Sequence, residues 1–220
     1  MSEPAALHLN LWKKRLGSVP AWVWEKPELE TLVLADNELA EVPEEIGRLA
    51  RLRMLDLGHN RLTRLPESLG ELDGLSDFLY LHDNQLSALP ASFGRLEKLR
   101  YLNISDNAFE VFPEVVCRMA GLVELRASDN RFTSLPDAIR ELTQLRELHL
   151  RNNKIDSLPE AIGSLQGLRQ IDLRGNPVRT LPEAMAALPR LEKLDLRWVT
   201  TLEEPRWLAG LEARGCLVYR

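Results

Sequence analysis

Leu145-Arg-Glu-Leu148-His-Leu150-Arg-Asn-Asn153-Lys-Ile155-Asp-Ser-Leu158-Pro159-Glu-Ala-Ile162-Gly163-Ser-Leu165 is the stretch from which the rest of the chain can be read. Its pattern, LxxLxLxxNxLxxLPxxIGxLxx, returns at nearly constant spacing. Asparagine recurs at Asn37, Asn60, Asn84, Asn107, Asn130, Asn153 and Asn176, in steps of 23 with a single step of 24 between Asn60 and Asn84. Proline keeps the same beat from Pro20 to Pro205, at nine of the 13 prolines, and leucine supplies 44 of the 220 residues. Self-similarity at such a period marks a stacked-repeat architecture. Nine units can be laid out, the first and last degenerate.

Leu148-His149-Leu150 alternates apolar and polar residues, the period of a short strand with one buried face. One such strand cannot bury enough to be stable. Copies stacked about 4.8 Å apart make a parallel sheet whose leucines form a continuous core, with stability summed over neighbours. The asparagine amide both donates and accepts, so a column of Asn at the strand exits can satisfy the turning backbone. Proline then starts a return segment, as an extended step or the first turn of a short helix. Apolar Ile46, Leu69, Phe93, Val116, Ile139, Ile162 and Met185 on that segment should close the core from behind.

On this motif the chain, over roughly residues 6 to 205, resembles the leucine-rich repeat family. It is similar to the 23-residue "LP" subtype found in Ras-suppressor-like, plant intracellular Ras-group-related and bacterial leucine-rich repeat proteins. The resemblance implies an α/β solenoid: a curved horseshoe with a concave parallel β-sheet, convex short helical or extended segments, and a capping helix at the C-terminus. It constrains function only weakly, because the scaffold serves many roles. The expected organisation is a single domain over 1–220. Residues 1–28 form an N-terminal cap and degenerate first repeat, 29–190 seven full repeats, and 191–220 a degenerate last repeat and cap. Trp22 or Trp24 is expected to cover the open N-terminal end. Residues 203–214, with Trp207, Leu208 and Leu211 at helical spacing, should form a capping helix ending near Gly215. Cys216 to Tyr219 should form a last strand.

The net charge of −5 and pI near 5.5 disfavour general nucleic-acid binding, which needs a basic surface. No apolar run reaches the roughly 18 residues of a membrane span, and Met1 to Pro4 does not read as an export signal. Cys117 and Cys216 fall about four repeats apart, about 20 Å, too far for a disulfide. A cytoplasmic monomer is the expectation.

Strand periodicity sorts the concave face into columns. The first runs His8, Thr31, Met54, Phe78, Tyr101, Glu124, Glu147, Gln170, Lys193, and the second Asn10, Val33, Asp56, Tyr80, Asn103, Arg126, His149, Asp172, Asp195. The third holds His82, Arg151, Arg174 and Arg197, and the fourth Asp36, His59, Asp83, Asp106, Asp129 and Trp198. Met54, Phe78, Tyr80 and Tyr101 are neighbours on three successive strands and offer anchors for a partner; cross-strand packing is the other use for them. Arg126, Arg151, Arg174 and Arg197, with Trp198 nearby, either grip an anionic partner or pair with Glu124, Glu147, Asp172 and Asp195. The residue inserted at Leu75–Leu79 reads as a bulge that re-aims these side chains. Asp36, Asp83, Asp106 and Asp129 are expected to cap backbone N–H groups. With His59 and His82 they include metal-donor types, but no ligand spacing recurs, so neither metal nor cofactor is expected. No nucleophile motif, P-loop or paired-cysteine signature occurs, and Cys117 has no predicted histidine neighbour.

The chain therefore reads as a non-enzymatic interaction scaffold that binds a protein or peptide on its concave face. Its partner-binding residues would be Met54, Phe78, Tyr80, Tyr101, His82, Arg126, Arg151, Arg174, Arg197 and Trp198. The alternative is the targeting domain of a bacterial effector or signalling enzyme whose catalytic part lies elsewhere.

Overall fold

The computed structural model describes residues 7–220; the Met1–Pro4 segment read above lies outside them. Ten three-residue strands stack in chain order into one open parallel sheet. They are β1 His8–Asn10, β2 Thr31–Val33, β3 Met54–Asp56, β4 Phe78–Tyr80, β5 Tyr101–Asn103, β6 Glu124–Arg126, β7 Glu147–His149, β8 Gln170–Asp172, β9 Lys193–Asp195 and β10 Leu217–Tyr219. The register follows the repeat: His8 pairs with Thr31, Thr31 with Met54, Met54 with Phe78, and so to Gln170 with Lys193. The central leucine or isoleucine of β2 to β9 is buried, and one apolar cluster runs from Val23 to Cys216.

The return segments combine the two forms expected of them. Each repeat proline from Pro20 to Pro182 is extended, and a five-residue 3-10 helix follows it, as in Glu67–Glu71 after Pro66 and Glu160–Ser164 after Pro159. Such tight turns are short enough to bring the chain back within 23 residues. Their third residues, Ile46, Leu69, Phe93, Val116, Ile139, Ile162 and Met185, are fully buried. The glutamate after proline also reaches sideways: Glu67 accepts the N–H groups of Ala91 and Ser92, and Glu160 that of Ala184. Each thereby satisfies orphan donors at the start of the next turn. These turns stack so closely that a Cβ on Gly70 would collide with the backbone of Ser92 and Phe93.

The asparagine column is a ladder of shared bonds. Asn60 Nδ2 donates to the carbonyls of Leu34, Leu57 and Gly58 at 2.9–3.1 Å. Its Oδ1 accepts the N–H groups of Asn37 and Leu39 at 3.1 and 3.0 Å. One side chain thus serves the exit turn of its own repeat and of the one before it.

Trp24, 5% exposed, covers the N-terminal end of the core, and Trp22, 44% exposed, lies outside it. At the other end the helix is shorter than the 203–214 expected. Helix α1 spans Leu208–Ala213, because Glu203–Arg206 around Pro205 are not helical and Leu208 N–H bonds to Pro205 O as the first turn. Leu208 and Leu211 are buried as expected, and Gly215 ends the helix at φ +92°. No helix among the described residues is long and apolar enough to cross a membrane.

Candidate binding site on the concave face

The extra residue between β3 and β4 shows how one repeat becomes unlike its neighbours. Elsewhere one carbonyl accepts two successive N–H groups of the next repeat, as Arg100 O does from Val123 and Glu124. At the insertion Arg100 N–H bonds to Ser76 O and Tyr101 N–H to Asp77 O. The additional residue is absorbed at the entrance of β4, as a bulge would absorb it. Beside it opens a groove of about 400 Å³ lined by Asp77, Phe78, Arg100, Tyr101, Val123 and Glu124.

Phe78, Tyr80 and Tyr101 meet above this groove. Ring centroids lie 5.9 Å apart for Phe78 and Tyr80, 5.4 Å for Phe78 and Tyr101, and 5.0 Å for Tyr80 and Tyr101. Both tyrosine hydroxyls are pushed upward in pKa, chiefly by burial, that of Tyr101 to about 12. They stay protonated as donors. Phe78 keeps 43% of its surface in solvent, an apolar exposure that the leucine core does not require. Met54 stands beside Phe78 in register. Arg100 and Asp77 were not singled out from sequence, since both precede the strand and fall outside the column count; the 24-residue step was the signal that pointed to them.

Most of the arginine row pairs within the face. Arg126 Nε donates to Glu124 at 2.6 Å, Arg174 bonds Asp172 through Nε and Nη2, and Arg197 holds Asp195 at 2.7–2.9 Å. Arg174 also stands 3.6 Å from Asp195. Asp195 is fully buried; burial alone would raise its pKa, but the bonds from Arg197 and the charge of Arg174 outweigh this and lower it. Arg197 lies between Trp198 and Tyr219, 6.0 and 5.4 Å from their centroids. This group sits at the far end of the sheet, about four strand spacings or 19 Å from Tyr101, so Trp198 and the Phe78 cluster are not one site. Arg151 differs from the other three. Its ion pair is a long one, 3.9 Å to Asp129, and its Nε is buried without a partner. It lines a second concave groove of about 290 Å³ with Arg126, Ser128, Arg174, His149 and His82.

The acidic fourth column does not cap the backbone as expected. Asp36, Asp83, Asp106 and Asp129, with His59 and Asn152, occupy the left-handed region at φ +51° to +57°, where Asp and Asn are better tolerated than most residues. Capping falls instead to the second column, two residues before the N–H it serves. Asp56 accepts from Gly58, Asn103 from Ser105 and Asp172 from Arg174. The fourth column pairs sideways: Asp83 with His59, Asp129 with Asn152, Asp36 with Lys13. Glu124, Glu147 and His149 bring one ligand atom each within 4.8 Å, although Arg126 already holds Glu124. Cys117 and Cys216 are free and buried. Burial, with Glu114 and Glu141 nearby, pushes the Cys117 thiol up to about 12, so it is no ready nucleophile.

Comparison with known proteins agrees with this geometry. A model described as leucine rich repeat matches residues 27–86 and 78–132, and one described as leucine-rich repeat region matches 137–213. No curated protein matches the sequence. Among solved structures the chain is similar to the leucine-rich repeat ectodomain of the plant membrane receptor kinase GASSHO1/SCHENGEN3 from Arabidopsis thaliana, in complex with CASPARIAN STRIP INTEGRITY FACTOR 2. Identity is 30% and the TM-score 0.74, over 86% of this chain and 24% of that one. It is similar also to the plant peptide hormone receptor RGFR1 in complex with RGF2, at 30% identity and TM-score 0.72, over 82% and 30%. An internalin of Listeria monocytogenes, inlF, shares the fold at 21% identity and TM-score 0.81, over 96% and 60%. The chain thus spans under a third of the plant receptor domains. A repeat shared with these models, carried on ten stacked strands and one asparagine ladder, places the chain in the leucine-rich repeat family.

Proposed function

We propose that this protein binds an extended segment of a protein or peptide across its concave face, and that it works as an interaction module rather than an enzyme. Met54, Phe78, Tyr80 and Tyr101 are the apolar anchors, and Arg151 is the cation left to recognise an acidic group. The single observation that carries this reading is the Phe78–Tyr80–Tyr101 cluster, with Phe78 exposed, beside a groove next to the inserted residue. Clustered aromatics flanked by polar residues are the usual energetic centre of an interface. The plant receptor neighbours, solved with CASPARIAN STRIP INTEGRITY FACTOR 2 and with RGF2, give the fold a precedent for such ligands. Two buried, free thiols suit the reducing cytoplasm, where we place the protein. The reading is tested by selecting ligands from a displayed peptide library and measuring their affinity for wild type, Tyr80→Ala and Tyr101→Ala. Selected peptides should bind either variant at least tenfold more weakly; ligands that bind both variants as tightly as wild type would remove the cluster from the site.

A further inference from the structure

Upstream of the aromatic groove, whose lining includes neither of them, the concave face carries two histidines, of which His82 also borders the second groove. His59 stands on the exit of β3 and His82 on that of β4, one repeat apart. Their Nε2 atoms face each other at 3.3 Å, with the rings edge to face at a centroid distance of 4.7 Å. A metal–imidazole bond is about 2.0–2.1 Å, so two ligands on one tetrahedral ion lie about 3.3–3.4 Å apart. The pair already holds that separation.

Three further features favour an ion there. Asp83 Oδ2 lies 2.5 Å from His59 Nδ1, which fixes the Nδ1–H tautomer and turns the Nε2 lone pair toward His82, the orientation that outer carboxylates give metal-ligating histidines. Gly58 leaves room for the second ring: a Cβ at this position would collide with the His82 imidazole. The surroundings are acidic, with Asp36 and Asp83 lining the groove beside His59 and Asp56, Asp83 and Asp106 acting on His82. Arg61, which lines the same groove, is tied to Glu38 at 3.0 Å. By contrast, the Glu124–Glu147–His149 group has Arg126 bonded into it.

We propose that His59 and His82 form a two-histidine site for a borderline-soft divalent ion of the zinc class, bound through the two Nε2 atoms with the remaining positions open to water or to a partner's side chain. Imidazole donors select such ions over magnesium or calcium. On binding, the ion takes the place of the proton shared between the rings, and His82 moves its proton from Nε2 to Nδ1, so neither neutral ring loses a proton overall. The site stands independently of the peptide-binding reading.

The test adds zinc chloride to the full-length protein and follows the ring nitrogens of its four histidines by NMR. Resonances of His59 and His82 should shift together and saturate at one equivalent, while those of His8 and His149 stay in place; magnesium chloride should move none of the four. His59→Gln and His82→Gln should each weaken zinc binding tenfold or more. Gly58→Ala, which removes no ligand but displaces the His82 ring, should weaken it as well. No shift up to millimolar zinc, a shift centred on His149, or wild-type affinity in His59→Gln, where the side chain is half exposed and its loss leaves the core untouched, would overturn the assignment.

Discussion

Single residues in this fold work by serving two repeats at once. Asn107 accepts the N–H of Leu86 and donates to the carbonyls of Leu81, Ile104 and Ser105. Asn107→Ala leaves these groups without a partner and is expected to cost about 1 to 3 kcal/mol, read as a fall in the urea midpoint. Asn107→Asp should cost more, because it loses the two-hydrogen donor and sets a carboxylate against three carbonyl oxygens. Asp195 makes a pH-dependent contribution. Its folded pKa lies below the ordinary 3.8, so its stabilisation is fully present above that value and is lost as pH falls through the folded value. At neutral pH Asp195→Asn should therefore be less stable than wild type by about 1 to 3 kcal/mol, and the two melting curves should converge as pH falls below the folded pKa of Asp195. A difference that persists at low pH would assign the effect to packing rather than to charge.

At the scale of elements, no strand or turn is stable alone and each end needs a cover. Deleting residues 203–220 removes α1 and β10, exposing Leu194 of β9, Leu196 just past it and the turn face that Leu208 and Leu211 cover. The truncated protein is expected to aggregate or to exchange its β8 and β9 amides faster, as measured by hydrogen exchange; a monomer with the full-length melting curve would show that α1 is no cap. The repeat made most of this architecture legible, because strand, asparagine turn and proline return each leave a fixed residue at a fixed step. Strand register and concave columns followed without change. Less regular positions did not. The capping carboxylates of Asp56 and Asp172 were missed, because counting residues from a strand does not say which N–H a short side chain reaches; the left-handed φ of Asp83 and Asp106 assigns them a different role. Helix α1 began later than its apolar spacing suggested, since spacing ignores the constraint at Pro205. Sequence leaves the pairing of the arginine row open, because side-chain length lets Arg174, two residues past β8, reach both Asp172 of β8 and Asp195 of β9.

Across the whole molecule, the concave face carries an aromatic patch on β4 and β5, then a groove with one underused arginine, and a C-terminal end closed by its own ion pairs. The proposed ligand is expected to use the first two. Arg151→Glu should slow association with a selected acidic ligand and flatten its salt dependence, leaving the melting temperature within a degree or two, whereas Arg197→Glu should mainly destabilise the fold. Equal, wild-type association kinetics for Arg151→Glu at low and high salt would give Arg151 to the scaffold. The most direct test of the central claim, that a ligand lies across β4 to β6, is hydrogen exchange of the selected complex against the free protein. Protection is expected at Phe78–Tyr80, Tyr101–Asn103 and Glu124–Arg126 and in the turns leaving those strands, with the 3-10 helices at Ala91–Arg95 and Glu114–Arg118 unchanged. Protection confined to those helices, or to β8 and β9, would contradict it.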